Sequence, residues 1–213
     1  YFIFDTYYQS GVESVSSKYE KDQIIDIDLY LKEIQSAKKT KKLVCLNRSH
    51  KFHRPKLVND LYANNLFKNS YISLAEIKLP EEEEYDVVKN EGMPILADKE
   101  PEENIVKGKM MHDSVANIEW VKNAELFVST ESLMYDTSFE IPDHTPYFVK
   151  FISEKVHKPL AWGMPFVVFG CQGSLTHMKD IGFKTFDPLI DESYDSIEDP
   201  EERYQSALQS VKD

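Results

Sequence analysis

The chain has 213 residues, of which 41% are hydrophobic and 12% aromatic, a composition that predicts a globular protein with one main core and excludes fibrous and disordered classes. Its formal net charge is -12, from 37 acidic and 25 basic residues, and this charge repels phosphate backbones and anionic lipid surfaces. We therefore expect no broad nucleic-acid binding, and no membrane partner either, because no apolar run reaches the roughly 18 residues that a spanning helix needs.

Residues 1–42 are predicted to form an N-terminal segment in front of the main domain. They contain a candidate strand at residues 1–8 and a candidate helix in DIDLYLKEIQSAKKTKK, where Leu29 and Ile34 fall on one apolar face. The N-terminus lacks the basic region and cleavage site of a secretory leader, so we expect neither secretion nor anchoring. The chain begins at Tyr1 rather than at Met, and the sequence leaves open whether it is a piece of a longer protein.

The main domain is predicted to span residues 43–213 and to begin with a strand, a helix and a second strand. KKLVCLN has the pattern of a short buried strand, and PKLVNDLYANNLF repeats apolar residues at helical spacing, with Pro55 in the first turn. SYISLAEIKL then alternates as a strand does. Two strands joined through a helix imply a right-handed parallel crossover, so the expected fold class is α/β.

The residues at about 80–118 are predicted to be an irregular surface insertion with at most a short helix, because they are charged and broken by Pro and Gly. Regular structure should return in NIEWVKNAELFVSTES, where ELFVSTES predicts a buried strand with polar residues at its carboxyl end. Open α/β sheets bind ligands at that end of their strands, so the end of this strand is a candidate ligand edge.

The stretch FISEKVHKPLAWGMPFVVFG predicts a helix from Glu154 to Trp162, capped by Ser153, ended by Gly163 and containing Pro159. The apolar run MPFVVFG should then form a central strand.

The sequence GSLTHMKDIGF repeats this arrangement, with Ser174 predicted as the N-cap and Gly182 as the C-cap of a helix. FKTF is expected to be a short edge strand, and DPEERYQSALQSVKD a terminal amphipathic helix. Cys45 and Cys171 lie in apolar strand-like runs, where a buried thiol needs no partner, and this favours a reducing cytoplasm.

The helix that starts with SEK is a candidate anion site, since its first turn offers unpaired N–H groups, a positive dipole and a lysine. Lys155 is the candidate phosphate ligand, and Glu154 beside it is placed to accept hydrogen bonds from ribose hydroxyls. The alternative is that Ser153 and Glu154 only start the helix and that Lys155 is solvated.

Two arginines follow the first strand, in NRSHKFHR, and their planar guanidinium groups suit bidentate phosphate binding. Arg48 and Arg54 are therefore candidate ligands, with ordinary surface arginines as the alternative. His50 and His53 are spaced three apart, but two further ligands for a metal ion are not apparent nearby, so we predict no metal site.

Carboxylates occur at two further places that bear on function. Glu131 ends the strand FVSTES at the predicted ligand edge, and its alternative role is to cap the following turn. The cluster DESYD, residues 191–195, is interpreted as a solvated turn of an acidic protein rather than a catalytic group. The sequence has no Gly-rich dinucleotide fingerprint, P-loop, GxSxG elbow or kinase motif set.

The stretch from Phe127 to Asp195 carries FVSTES, FISEKVHKPLAWGMPFVVFG, GSLTHMKDIGFKTF and DESYD in this order, and it resembles a family of bacterial and phage glycosyltransferase-like proteins. More distantly, the chain from Leu43 onward is similar to the donor-binding half of fucosyltransferase-type and exostosin-type enzymes. In those relatives this half is the C-terminal Rossmann-like domain of a GT-B fold. A TEK helix start followed by GxPxxxG holds the nucleotide-sugar there, and SEK and GMPFVVFG match these motifs here.

This resemblance implies a Rossmann-like parallel sheet flanked by helices and a donor site for a nucleotide-diphosphate sugar. It assigns Lys155 and one of Arg48 and Arg54 to the diphosphate, Glu154 to the ribose and Glu131 to the same pocket. It implies no metal and no cofactor, since cations and N–H groups can stabilise the leaving diphosphate. The catalytic residues and the acceptor stay unknown.

The resemblance also has consequences for partners and location. A GT-B enzyme needs an acceptor domain in front of this one, and residues 1–42 are too few for a domain. The resemblance implies that this segment is a remnant of a preceding acceptor domain, and that a missing N-terminal domain or a partner chain would supply the acceptor site. The expected location is the cytoplasm of a bacterium or of a phage-infected host, with the virion as an alternative.

Two alternatives to a glycosyltransferase remain open. The first is a non-catalytic virion-associated or assembly protein that keeps the fold, and the second is another phosphate-ligand enzyme of doubly wound type.

Overall fold

The structure is a computed structural model that describes residues 32, 36–47, 51–75, 84–95, 118–134 and 152–213. These residues contain a four-stranded sheet in which all neighbouring strands run parallel. The strands are β1 (Lys41–Asn47), β2 (Tyr71–Leu74), β3 (Ala124–Thr130) and β4 (Phe166–Phe169), and their order across the sheet is β2-β1-β3-β4. This is the α/β, Rossmann-like arrangement that was expected.

Four of the described helices lie between strands in the chain, and two follow the last strand. They are α1 (His53–Ala63), α2 (Asp86–Glu91), α3 (Ile118–Asn123), α4 (Glu154–Ala161), α5 (Ser174–Asp180) and α6 (Pro200–Lys212), with a 3-10 turn at Ser193–Ser196 before α6. The predictions of a strand at residues 41–47, of a strand before residue 131 and of an amphipathic terminal helix are confirmed. The predictions for residues 1–31 lie outside the described residues.

Helices cover both faces of the sheet. Phe166 and Phe169 are three residues apart on β4, so their side chains point to opposite faces. The ring of Phe169 packs edge-on against Tyr204 of α6, at 5.3 Å between ring centroids. Phe127, which pairs with Phe166 and shares its face, packs in the same way against Trp162 at the end of α4, at 6.0 Å. Burial on both faces explains why all residues of β2 and β4 are buried.

The helix α4 begins as the sequence predicts. The hydroxyl of Ser153 caps it by accepting a hydrogen bond from the amide of Lys155. The helix ends at Ala161, one residue earlier than expected, and Gly163 follows it with φ +61°, a backbone conformation that favours glycine.

The charged insertion is partly built into the core. Its short helix α2 buries Val87, and Ile95 exchanges two backbone hydrogen bonds with Leu74 of β2, each 2.9 Å long. The expected irregular surface insertion is thus anchored at the outer strand of the sheet, and residues 96–117 lie outside the described part.

Two strand predictions are wrong. MPFVVFG was expected to be a central strand, but β4 is the outer strand of the described sheet, where β1 and β3 are central. The apolar residues of β4 are buried because the segments that follow it in the chain cover it. On the edge of β4 that faces away from β3, the hydroxyl of Tyr194 accepts a hydrogen bond from the amide of Val168, at 3.0 Å. FKTF forms no strand and is irregular.

The prediction that Ser174 caps α5 is also wrong, because a distant carboxylate performs that role. Gly173 is the N-cap, with φ +74°, and Asp195 accepts the amides of Leu175 and Thr176 at 2.9 and 2.8 Å. Asp195 is 6% exposed, so the interpretation of DESYD as a solvated turn fails for this carboxylate. The C-cap of α5 is Ile181, and Gly182, which was predicted for that position, follows it with φ +98°.

A buried arginine on α6 joins the carboxyl edge of the sheet to the C-terminal part of the chain. The guanidinium of Arg203, which is 2% exposed, donates hydrogen bonds to four backbone carbonyls. These carbonyls belong to Gly170, Ile197, Glu198 and Met134. A buried cation with several acceptors avoids the cost of an unpaired charge, and here it also fixes the loops that follow β3 and β4.

We expect Arg203→Met to lower the free energy of unfolding by about 3 kcal/mol or more, because four carbonyls lose their donor in a site closed to water. Urea denaturation would measure this loss. Lys212→Met, an exposed change on the same helix, is the matched control and should change the free energy by less than about 0.5 kcal/mol. Equal effects of the two changes would contradict the anchoring role of Arg203.

Candidate functional site

The order of the strands puts the topological switch point of the described sheet between β1 and β3, where a crevice is expected. The chain leaves β1 through α1 and leaves β3 toward α4. Asp60 of α1 accepts a hydrogen bond from Tyr204, so α1 and α6 share one face, whereas Trp162 places the end of α4 on the other. Connections that depart to opposite faces leave a gap above the strand ends, where sheets of this type bind ligands. We call this gap the switch-point crevice; it is bounded by the carboxyl ends of β1 and β3 and the first residues of α1 and α4.

Buried polar side chains close the strand ends at the floor of the crevice. Asn47 ends β1 and is fully buried, and its Oδ1 accepts a hydrogen bond from the hydroxyl of Thr130 at 2.7 Å. The Asn47 amide donates to Cys45 Sγ at 3.3 Å. Burial raises the pKa of the Cys45 thiol to about 12, so this cysteine is an inert core residue.

The first two side chains of α1 bind the end of β3. His53 Nε2 lies 2.9 Å from the carbonyl oxygen of Glu131, and Arg54 donates from NH2 to the carbonyl of Thr130 at 2.9 Å. Both side chains are buried, at 3% and 2% exposure. Arg54, predicted as a diphosphate ligand, therefore lies at the crevice but has one of its donors engaged with the backbone.

The imidazole of His53 is neutral at neutral pH. Burial, the first cause, and the neighbouring Arg54 guanidinium lower the pKa of His53 from 6.5 to about 4, and Lys51 adds a smaller effect in the same direction. The hydrogen bond to the Glu131 carbonyl acts in the opposite direction and raises the pKa. Since a carbonyl oxygen accepts and never donates, the neutral ring carries its proton on Nε2.

Glu131 connects the end of β3 to the start of α4. Its carboxylate is fully buried and accepts the backbone amide of Ser153 at 2.8 Å. The Ser153 hydroxyl lies 3.0 and 2.7 Å from its two oxygens, and the amide of Ser132 approaches at 3.3 Å. The sequence left open whether Glu131 lines a ligand pocket or caps a turn, and these contacts place it against the N-cap of α4.

Lys155 stands in the first turn of α4 and is half-buried. Its ammonium donates to the Ser153 hydroxyl at 3.0 Å. The structure therefore brings Arg54, Glu131 and Lys155 to the same crevice. Arg48 and the side chain of Glu154 lie outside the described residues, so their predicted roles stay predictions.

The helices α4 and α5, which follow β3 and β4, differ in how a carboxylate of the same chain bonds to their first residues. In α5, Asp195 already accepts two first-turn amides and the hydroxyl of Thr176. In α4, the Glu131 carboxylate accepts from the amide of the N-cap residue Ser153, and the amide of Lys155 lies 3.3 Å from the Ser153 hydroxyl. The carboxylate that reaches α5 therefore bonds to amides inside the helix, whereas the one that reaches α4 bonds to its N-cap.

Sequence reasoning missed three parts of this site. Asn47 and Thr130 were passed over, although a polar residue at the end of an apolar strand is a usable signal, and His53 was considered only as a metal ligand. Among the described residues, no group of three or more His, Cys, Asp or Glu is placed to hold a metal ion, and no helix is long and apolar enough to cross a membrane.

In comparisons with known proteins, no family model matched the chain, and no curated protein or solved structure matched it.

We expect the protein to lose stability on acidification in a window set by His53. Its pKa is about 4 in the folded chain and 6.5 by default, so the unfolded chain binds more protons between these values. Stability is therefore retained above about pH 6.5 and falls as the pH drops toward 4. By linkage, the loss is on the order of 3 kcal/mol.

His53→Gln keeps an N–H donor for the Glu131 carbonyl but does not titrate, so it isolates this effect. Urea denaturation at several pH values should give a difference between wild type and variant that grows from pH 7 to pH 4. Carboxylates contribute to both curves alike. Parallel curves for the two proteins would show that His53 is not the source of the loss.

Proposed function

We propose that the protein binds the diphosphate of a nucleotide-sugar in the switch-point crevice and serves as the donor-binding part of a glycosyltransferase. The observation that carries this proposal is the position of Lys155. Its ammonium lies in the first turn of α4, beside the N-cap, at the carboxyl edge where α/β sheets bind ligands. The resemblance of SEK and GMPFVVFG to donor-site motifs supports the same assignment.

Electrostatics favour an anion at this place in spite of the net charge of -12. The Arg54 guanidinium lies behind the crevice, the Lys155 ammonium stands at the start of α4, and the helix adds the positive end of its dipole. His53 is neutral and therefore neither adds to nor opposes this field at neutral pH. The buried Glu131 carboxylate, bonded to the same Ser153 hydroxyl as Lys155, offsets part of this charge, so the field that draws an anion is the sum of two cations, the helix dipole and one carboxylate.

This arrangement suits the chemistry of sugar transfer. As the bond from the sugar to the diphosphate breaks, the sugar becomes oxocarbenium-like and negative charge builds up on the leaving phosphate. Cations and N–H groups that are already in place stabilise that charge without further reorganisation. In this proposal Lys155 contacts the phosphate directly, and Arg54, held by the Thr130 carbonyl, contributes its charge from the floor of the crevice.

The proposal assigns the remaining predicted residues as follows. Glu154 binds the ribose, and Arg48 adds a second guanidinium above the crevice. The acceptor and the catalytic base come from another part of a longer protein or from a partner chain. The setting is the cytoplasm of a bacterium or of a phage-infected cell.

We expect one of the nucleoside diphosphates UDP, GDP and ADP to bind to the chain in titration calorimetry more tightly than the monophosphate CMP, and Lys155→Ala to weaken that binding by about tenfold to a hundredfold. This range corresponds to the loss of one or two charge-assisted hydrogen bonds. Lys184→Ala removes the same charge from an exposed position after α5 and is the matched control. Its affinity should stay within about twofold of wild type.

The outcomes separate the three functional classes. Binding of one diphosphate that depends on Lys155 supports a glycosyltransferase and names the donor class. Binding of phosphorylated compounds without preference for a nucleotide would favour another phosphate-ligand enzyme. No binding by a folded chain would overturn the proposal and favour an assembly protein.

A further inference from the structure

The Glu131 carboxylate is fully buried, so it presents no exposed atom to a ligand. It is 0% exposed, and its described donors are the Ser132 amide and the amide and hydroxyl of Ser153. A buried carboxylate is tolerated only where several donors reach it, and most of these donors come from the N-cap of α4, 22 residues further along the chain. Its contacts therefore point into the protein, toward the helix start.

The direction of each hydrogen bond at Ser153 follows from simple proton counting. A serine hydroxyl has one proton and two lone pairs. The Lys155 ammonium and amide can only donate, so they occupy the lone pairs, at 3.0 and 3.3 Å. The single proton is then left for the Glu131 carboxylate, which lies 2.7 Å away at its nearer oxygen. The chain of bonds runs from Lys155 through Ser153 to Glu131.

We propose that Glu131 is a positioning residue, which holds the Lys155 ammonium at the crevice through the hydroxyl of Ser153 and does not itself contact the ligand. This inference rests on the proposed function only for the identity of the ligand. An ionised carboxylate fixes the Ser153 hydroxyl as a donor toward β3, and this leaves the hydroxyl oxygen free to accept from Lys155. A lysine side chain loses much conformational entropy when it is ordered, so fixing it in advance improves the affinity for an anion.

The first test needs no ligand and observes the lysine itself. In the full chain labelled with 13C at the lysine ε-carbons, a fixed Lys155 should show two separate ε-proton resonances, which Lys155→Arg assigns by removing them. Glu131→Gln, which keeps the shape of the side chain, should merge these two resonances into one. Lys184, which is exposed, should show a single averaged resonance in every protein. Separate resonances that persist in Glu131→Gln, or merged ones in the wild type, would overturn the proposal.

A second pair of variants covers the case in which Glu131→Gln does not fold. Ser153→Ala removes the hydroxyl that links the two charges and should merge the Lys155 resonances. Ser153→Thr keeps a hydroxyl at the N-cap and should restore their separation. A purely structural role of the N-cap would instead make the lysine signal insensitive to the presence of the hydroxyl.

The third test is a double-mutant cycle with whichever of UDP, GDP, ADP and CMP binds best. Glu131→Gln should weaken binding by about tenfold in the wild-type background, the loss expected for one hydrogen bond to a charged group. In the Lys155→Ala background the same change should cost less than about twofold, because the residue that it positions is gone. Additive losses would make Glu131 a ligand contact and refute the proposal.

The two proposals fail in different ways. If none of the nucleotides binds while the Lys155 resonances still depend on Glu131 and Ser153, the glycosyltransferase assignment fails and the positioning role stands. If a nucleotide binds through Lys155 and the resonances do not depend on Glu131, the glycosyltransferase assignment stands and the positioning role of Glu131 fails.

Discussion

The junction of Thr130 and Glu131 at the end of β3 is the point on which the candidate site depends. Its two backbone carbonyls and one carboxylate are all removed from water, so each needs a donor. The donors for the carbonyls come from the first turn of α1, and those for the carboxylate come from the N-cap of α4 and from the adjacent Ser132 amide. Two helices on opposite faces of the sheet are therefore bonded to the same pair of residues.

This constraint explains why the site can combine buried charges with stability. Burying an isolated arginine or glutamate would cost several kcal/mol, and a protein with a typical stability of about 5 to 15 kcal/mol tolerates few such losses. Arg54 and Glu131 reduce this cost by bonding to backbone groups, Arg54 through NH2 to the Thr130 carbonyl and Glu131 to the Ser153 amide. The Arg54 guanidinium thus stabilises the fold when no ligand is bound, and its electrostatic field is present before any ligand arrives.

Local sequence patterns predict the regular elements well and the contacts between them poorly. The apolar run before Asn47 and the capping serine at residue 153 each contain their own signal, and β1 and α4 form as expected. The cap of α5 could not be predicted, because Asp195 reaches that helix from 20 residues away and its exposure depends on the folded chain. The same holds for the bond from Glu131 to Ser153 and for the burial of Arg54. The strand order, which made β4 an outer strand, is likewise a property of packing and not of the strand's own residues.

The C-terminal helix completes the enclosure of the same junction. Arg203 holds the carbonyls of Met134 and Gly170, which lie shortly after the ends of β3 and β4. A Cβ at Gly170 would lie 3.5 Å from the Cβ of Glu131 and 3.1 Å from Val168, so this position leaves little room for a side chain beside the carboxylate. The exit of β3 is therefore fixed by α1, by α4 and by α6 together. A ligand bound at Lys155 would contact a helix that is already fixed to this exit. Little of the binding free energy would then be lost to rearrangement of the sheet.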